Sequence, residues 1–169
     1  MGRDKALIAV GGRALVTIAA EALAEGGAGT VVVIGGAAER MADLGLTVVP
    51  DRWPGEGPMG GVITALDRPG HDVVVILACD HPAAAGPAVA SIAGALAGAD
   101  VAVPVIAGRR QLMHAAWSRR VVPRLREAFD AGERALHRSL DGLEVIDVLD
   151  GDPCWYADVD RPSDLPGSA

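Results

Sequence analysis

Aromatic side chains make up only 3% of this 169-residue sequence, and 15 basic residues stand against 22 acidic ones, a net charge of -7. A negative chain almost without stacking rings lacks both the electrostatic footprint and the base platforms of nucleic-acid binding. Nucleic acid is therefore not an expected partner. Cysteine is scarce as well. Cys79 and Cys154 have no Cys-x-x-Cys spacing, so they make neither a disulfide framework nor a zinc site, and the context reads as reducing. No apolar run approaches the roughly 20 residues that span a bilayer. Residues 6–10 are too short for the apolar part of a secretory leader, and Gly11-Gly12 ends them. The expectation is a cytoplasmic protein with no membrane partner.

What is present points to a folded chain. Half of the residues are apolar and 22% are charged, which supplies a core and excludes the composition of a disordered region. At about 150 residues per domain, the expectation is one domain over 1–169. The β-branched runs at 31–34 and 73–77 are unbroken and of strand length, the pattern of strands buried on both faces. Shorter strands are expected at 47–49 and 101–103, with a possible further one at 111–117. Between them, segments of helical period cover 14–25, 37–44, 60–66, 87–97 and 121–131. Gly26-Gly27 and Gly98 stand where helix C-terminal glycines belong, and Pro87 suits a first helical turn. Alternating strand and helix predicts an α/β fold, a mostly parallel sheet with helices on both faces. A last short helix is expected to end in the tail after Pro162.

Ligands of open parallel sheets bind beyond the carboxyl ends of the strands. Asp80, in Ala78-Cys79-Asp80-His81-Pro82, follows the strongest strand. A carboxylate there can take a hard cation that bridges polyphosphate oxygens, or it can cap the following turn. The loop from Asp51 to Gly61 opens a helix, and Gly57, Gly60 and Gly61 let backbone approach a flat ligand. Lys5, the only lysine, offers phosphate a compact charge, or it is a solvated terminal side chain. Cys79 is expected to be buried and inert, and no covalent intermediate is expected.

These pieces stand in a recognisable order. Met1-Gly2-Arg3-Asp4-Lys5-Ala6-Leu7, Gly11-Gly12-Arg13-Ala14-Leu15, Asp51 with Gly57-Pro58-Met59-Gly60-Gly61, and Cys79-Asp80-His81-Pro82 resemble the molybdenum cofactor guanylyltransferases. The likeness continues through Arg110-Gln111-Leu112-Met113-His114, Gly132-Glu133-Arg134-Ala135-Leu136 and Asp158-Val159-Asp160-Arg161-Pro162. It implies a Rossmann-like nucleotidyltransferase that joins GMP from GTP to molybdopterin carrying molybdenum and releases pyrophosphate, with Mg2+ as cofactor. By the same resemblance Lys5 and Asp80 are the catalytic pair, Asp80 holding the metal. Lys5, Gly35, Asp51, Gly57, Pro58, Gly60, Gly61 and Asp80 line the nucleotide, Gly35 through backbone only. His114, Asp158 and Asp160 lie on the pterin side, where Asp158 and Asp160 either add magnesium ligands or orient the loop. Transient contact with cofactor-accepting enzymes is also implied.

The chain departs from the family at two places. Members generally carry Asn-x-Asn-Thr-Pro where this chain has residues 158–162. They also have an inner first strand and a glycine loop ahead of the Met-Gly-x-Asp-Lys string, with which this sequence begins. The expectation is that Met1 is an internal methionine, and that without that strand two neighbouring strands go unpaired. A genuine short form without catalysis, transfer of CMP or another nucleotide to a phosphorylated acceptor, and a noncatalytic nucleotide-binding module are the alternatives.

Overall fold

The computed structural model describes residues 5–158. A hairpin of β1 (Ala9–Val10) and β2 (Arg13–Ala14) turns at Gly11 and Gly12, both at positive φ, and leads into α1 (Leu15–Glu25). Then follow β3 (Val33–Ile34), α2 (Ala38–Ala42), β4 (Val48–Val49), α3 (Pro58–Leu66) and β5 (Val73–Leu77). The second half contains α4 (Gly86–Ala95), β6 (Val101–Ile106), β7 (Arg109–Arg110), β8 (His114–Ser118), α5 (Val122–Asp130) and β9 (Val145–Val148). The expected last helix lies outside the described residues. No helix among the described residues is long and apolar enough to cross a membrane.

The expected α/β layering is present, and the sheet is mixed. β8 runs antiparallel between β5 and β6, while β9 lies parallel to β6. The reason is connection length. A parallel return needs a crossover of a dozen or more residues, whereas β6 ends at Ile106 and β8 begins at His114. The chain therefore turns back at Ala107-Gly108, both in left-handed conformation, and antiparallel pairing follows.

Strand alternation decides which helix each side chain meets. Val74, Ile76, Val101, Val103, Ala115 and Trp117 pack toward α3 and α5, against Ile63, Leu66, Leu125 and Phe129. Their neighbours Val75, Ala102 and Ala116 pack on the other face against Ile92 and Leu96. On that face α1 and α4 nearly touch through glycine: a Cβ on Gly26 would lie 2.4 Å from the Val89 Cβ.

β3 and β4 form a separate parallel pair. The Val33 and Gly35 N–H groups donate to the Thr47 and Val49 carbonyls at 2.9 and 2.8 Å, so the backbone groups of Val32 and Ile34 turn the other way. Across from them, Arg119 donates to the Asp72 carbonyl and Ala78 to that of Met113. In that register Val74 and Ile76 face β8, and Val73, Val75 and Leu77 turn their N–H and C=O groups outward. Between these two open edges lies a cavity of about 660 Å³, walled by residues 31–34, residues 73–77 and apolar side chains of α1, α3 and α4. A strand residue fills roughly 160 Å³ at the usual rise, strand spacing and sheet separation. The slot is thus as large as an inner strand of about four residues. Only part of the run at 31–34 is paired, because β3 has a neighbour on one edge alone.

Candidate active site

Asp80 follows β5 at its carboxyl end, as the valine run dictates, and its side chain is 31% exposed. It lines the large slot and also an adjoining cavity of about 410 Å³. The His81 Nε2 lies 3.8 Å from Asp80 Oδ1, beyond hydrogen-bond distance. Asp158 lines the smaller cavity too. Among the described residues no three His, Cys, Asp or Glu side chains converge to hold a metal. A pair of carboxylates in an open cavity fits a divalent ion that keeps most of its coordination for water and phosphate oxygen, as Mg2+ does, and not a closed protein cage.

The other candidates are distributed around the same opening. Lys5, in the short 3-10 turn Lys5–Leu7, lines the slot. The Ile8 N–H closes that turn on the Lys5 carbonyl, and the Ile8 carbonyl accepts from Leu15 at the start of α1. Gly57, at φ 85 where a Cβ would be strained, turns the loop into α3, and Pro58 occupies the first turn. No side chain caps this helix end, so its first N–H groups remain for an anion. Gly57, Pro58 and Gly61 line the slot, and Pro58 lines the smaller cavity as well.

Asp51 also lines the slot, held by one oxygen. Its Oδ1 accepts from the Trp53 N–H at 3.0 Å and lies 3.1 Å from the Thr64 hydroxyl. That hydroxyl accepts the Arg52 N–H and sits 2.9 Å from the Gly60 carbonyl. Thr64, which the sequence did not single out, therefore sets the direction of Asp51.

Three expected positions stand differently. Gly35 packs against Asp51, and with its N–H taken by Val49 only its carbonyl is left for a ligand. Gly60 is buried beneath Trp53, whose Cβ would lie 3.1 Å from a Cβ at this position, and lines neither cavity. It serves close packing. His114, expected on the pterin side, is fully buried behind His81 and lines neither of the two cavities, because its strand position faces the core and not the opening. Burial, with His81 beside it, pushes its pKa down to about 3. Asp160 lies outside the described residues. Cys79 is half-buried, not sealed in the core.

The smaller cavity has further polar walls in His81, Gln111 and His137, which sequence reasoning passed over. The signal for His81 was its place next to Asp80. The Gly132-Glu133-Arg134 string has a supporting role. Glu133 accepts the N–H groups of Ala135 and Arg134, which hold its carboxyl below the usual range. Arg134 reaches Glu56 at 2.8 Å and lies 3.8 Å over the Phe129 ring, so it ties the loop before α3 to the end of α5.

The family model of the MobA-like NTP transferase domain matches residues 1–145. A probable molybdenum cofactor guanylyltransferase of Bacillus licheniformis is 33% identical over 138 residues, 77% of this chain and 71% of that one. The molybdenum cofactor guanylyltransferase of Rhodobacter capsulatus is 34% identical over 174 aligned positions, covering 98% and 86%. Among solved structures, molybdopterin-guanine dinucleotide biosynthesis protein A from Archaeoglobus fulgidus superposes with a TM-score of 0.79 at 20% identity, covering 97% and 88%. A 2-C-methyl-D-erythritol 4-phosphate cytidylyltransferase from Thermus thermophilus reaches 0.77 at 21% identity over 95% and 90%. The two structures share the nucleotidyltransferase fold with this chain, and the matched residues run through the hairpin, the α3 loop and the Asp80 turn. By sequence and by fold, the chain belongs to the MobA-like NTP transferase domain family.

Proposed function

We propose that this chain transfers GMP from GTP to the phosphate of molybdopterin carrying molybdenum, forming the guanine dinucleotide cofactor and pyrophosphate. The observation that carries the reading is Asp80, one carboxylate lining two adjoining cavities, with Lys5 and the uncapped end of α3 on the nucleotide side. The names of the Bacillus and Rhodobacter relatives support the choice of acceptor. The Gly57-Pro58-Met59-Gly60-Gly61 form of the loop favours guanylyl over cytidylyl transfer.

In this reading an oxygen of the pterin phosphate attacks the α-phosphorus of GTP in line. The bond from that phosphorus to the oxygen bridging to the β-phosphate breaks, and its electron pair leaves with pyrophosphate. Both partners are anions, so the protein's task is positioning and neutralisation. Lys5 offsets charge on the departing pyrophosphate, and the first N–H groups of α3 face the phosphates. Asp51, aimed by Thr64, and the Gly35 carbonyl hold the nucleoside. Asp80 holds Mg2+, with Asp158 or Asp160 either as a further ligand or as an orienter of the pterin-side loop. The bound ion supplies charge neutralisation at the phosphate oxygens. Finished cofactor passes to accepting enzymes through transient contact.

The open slot between β3 and β5 belongs to the same proposal: an inner strand and glycine loop ahead of Met1 complete the sheet and the phosphate site. The two unpaired edges support it. The test is pyrophosphate release with molybdopterin, Mg2+ and either GTP or CTP, on the chain as given and on a form lengthened ahead of Met1. Release with GTP alone is expected. Release with CTP alone assigns the cytidylyl reaction, and tight nucleotide binding without release from either form assigns a binding module.

A further inference from the structure

We propose that the packed, mutually tilted rings of His81, His114 and Tyr156 form a buried spacer that sets the separation of Asp80 and Asp158 across the smaller cavity. The proposal rests on the reading of that cavity as a divalent-cation site. His81 follows Asp80 directly, and Tyr156 lies two residues before Asp158 on the short 3-10 turn Pro153–Tyr156. His114 stands between them. Its ring centroid is 5.5 Å from that of His81 and 4.8 Å from that of Tyr156, with the planes tilted by 59° and 55°. All three residues are buried, so the column is a solid strut between the β5 turn and the segment that delivers Asp158.

The chemistry of the column supports a function beyond filling space. His81 Nδ1, both ring nitrogens of His114 and the Tyr156 hydroxyl are buried with no hydrogen-bond partner among the described residues. Leucine would fill such a core without that desolvation cost, but without the rigid span of a ring. What the three rings hold is a fixed spacing of their centroids in a tilted packing, while His81 also turns Nε2 toward the Asp80 carboxylate. His114 is neutral at ordinary pH, since its pKa is pushed down to about 3, so it acts on the two carboxylates through packing and not through charge. Partners that orient a metal ligand by hydrogen bonding commonly change metal affinity by about 10–100-fold, and the column acts on the position of the same ligands through packing. The three rings are positioning residues.

The experiment is Mn2+ titration of the full chain, followed by loss of the free-ion paramagnetic resonance signal with GTP present and read against GTP alone at the same concentration, alongside thermal melting. His114→Ala, which collapses the strut, is expected to weaken Mn2+ binding about tenfold or more. His114→Phe, which keeps a ring, is expected to bind Mn2+ as the unmodified protein does. Leu125→Val, a core change on the opposite face of the sheet, is expected to lower the melting temperature without altering Mn2+ affinity. Should His114→Ala not fold, Tyr156→Leu carries the same expectation from the far end of the column. Unchanged Mn2+ affinity in the shortened variants, or equal losses in His114→Ala and His114→Phe, overturns the spacer alone. Absence of Mn2+ binding by the unmodified protein overturns the cation site and the spacer together.

Discussion

An apolar strand joined ahead of Met1 should enter the slot between β3 and β5 and raise the stability of the whole chain. The slot has room for about four strand residues, and Val73 on its wall is 47% exposed. Four apolar side chains buried there contribute about 8 kcal/mol at ~2 each. Ladder bonds to the outward groups of Val32, Ile34, Val73, Val75 and Leu77, up to about eight for four inner residues, add about 4 kcal/mol at ~0.5 each. Ordering four residues costs about 8 kcal/mol at ~2 each. The balance, about 4 kcal/mol, corresponds to a rise in melting temperature of roughly 8–16 °C for a chain of this size. The assay compares this extension with a Gly/Ser extension of equal length, by thermal melting and by amide exchange at Val75 and Ile34. Protection of both amides should appear with the apolar extension only. Equal melting and equal exchange for the two extensions would refute the slot as a strand position.

Other parts of the account are open to simpler measurements. Gly26→Ala forces a Cβ into Val89 at 2.4 Å and should cost about 1–3 kcal/mol in urea unfolding; a neutral effect would mean that α1 and α4 separate freely. His114 binds no proton in the fold until about pH 3, whereas in the unfolded chain it does so at the ordinary histidine value of about 6.5. Stability should therefore fall as pH drops below about 6.5, by up to ~1.4 kcal/mol per unit. His114→Phe should flatten the slope in melts between pH 7 and 5, and an unchanged slope would contradict the buried neutral imidazole. Lys5→Ala should weaken GTP by about 1–3 kcal/mol, the range for a charge-assisted bond, read by calorimetry. Unaltered affinity would remove Lys5 from the nucleotide contacts.

The strands and helices most legible in the sequence were those whose signal is local. The valine run announced β5 as a strand, although among the described residues it is an antiparallel open edge and not a doubly buried parallel strand, and Gly27 and Gly98 marked helix ends because the left-handed geometry they adopt favours glycine. Asp80 was legible for the same reason, as the first carboxylate beyond the strongest strand. Topology was not, since β8 turns antiparallel through the length of its connection and not through any property of its own residues. β9 and β7 escaped notice because two to four residues carry too little periodicity to separate from loop. Burial was the other blind spot. His114 and Gly60 were placed near the opening by their neighbours in sequence, whereas the packing of Tyr156 and Trp53 encloses them. Thr64 and Gln111 were invisible because a hydroxyl or amide declares its role only through what it faces.

The central claim is that the Asp80 carboxylate makes this opening a nucleotidyl-transfer site. Asp80→Asn keeps the shape of the side chain and removes its charge, so the melting temperature should stay within a few degrees of the unmodified protein. Mg2+-dependent pyrophosphate release from GTP and molybdopterin should fall by about 10²-fold or more, the scale of losing one charge-stabilising group. A folded Asp80→Asn protein that releases pyrophosphate at the original rate would contradict the account.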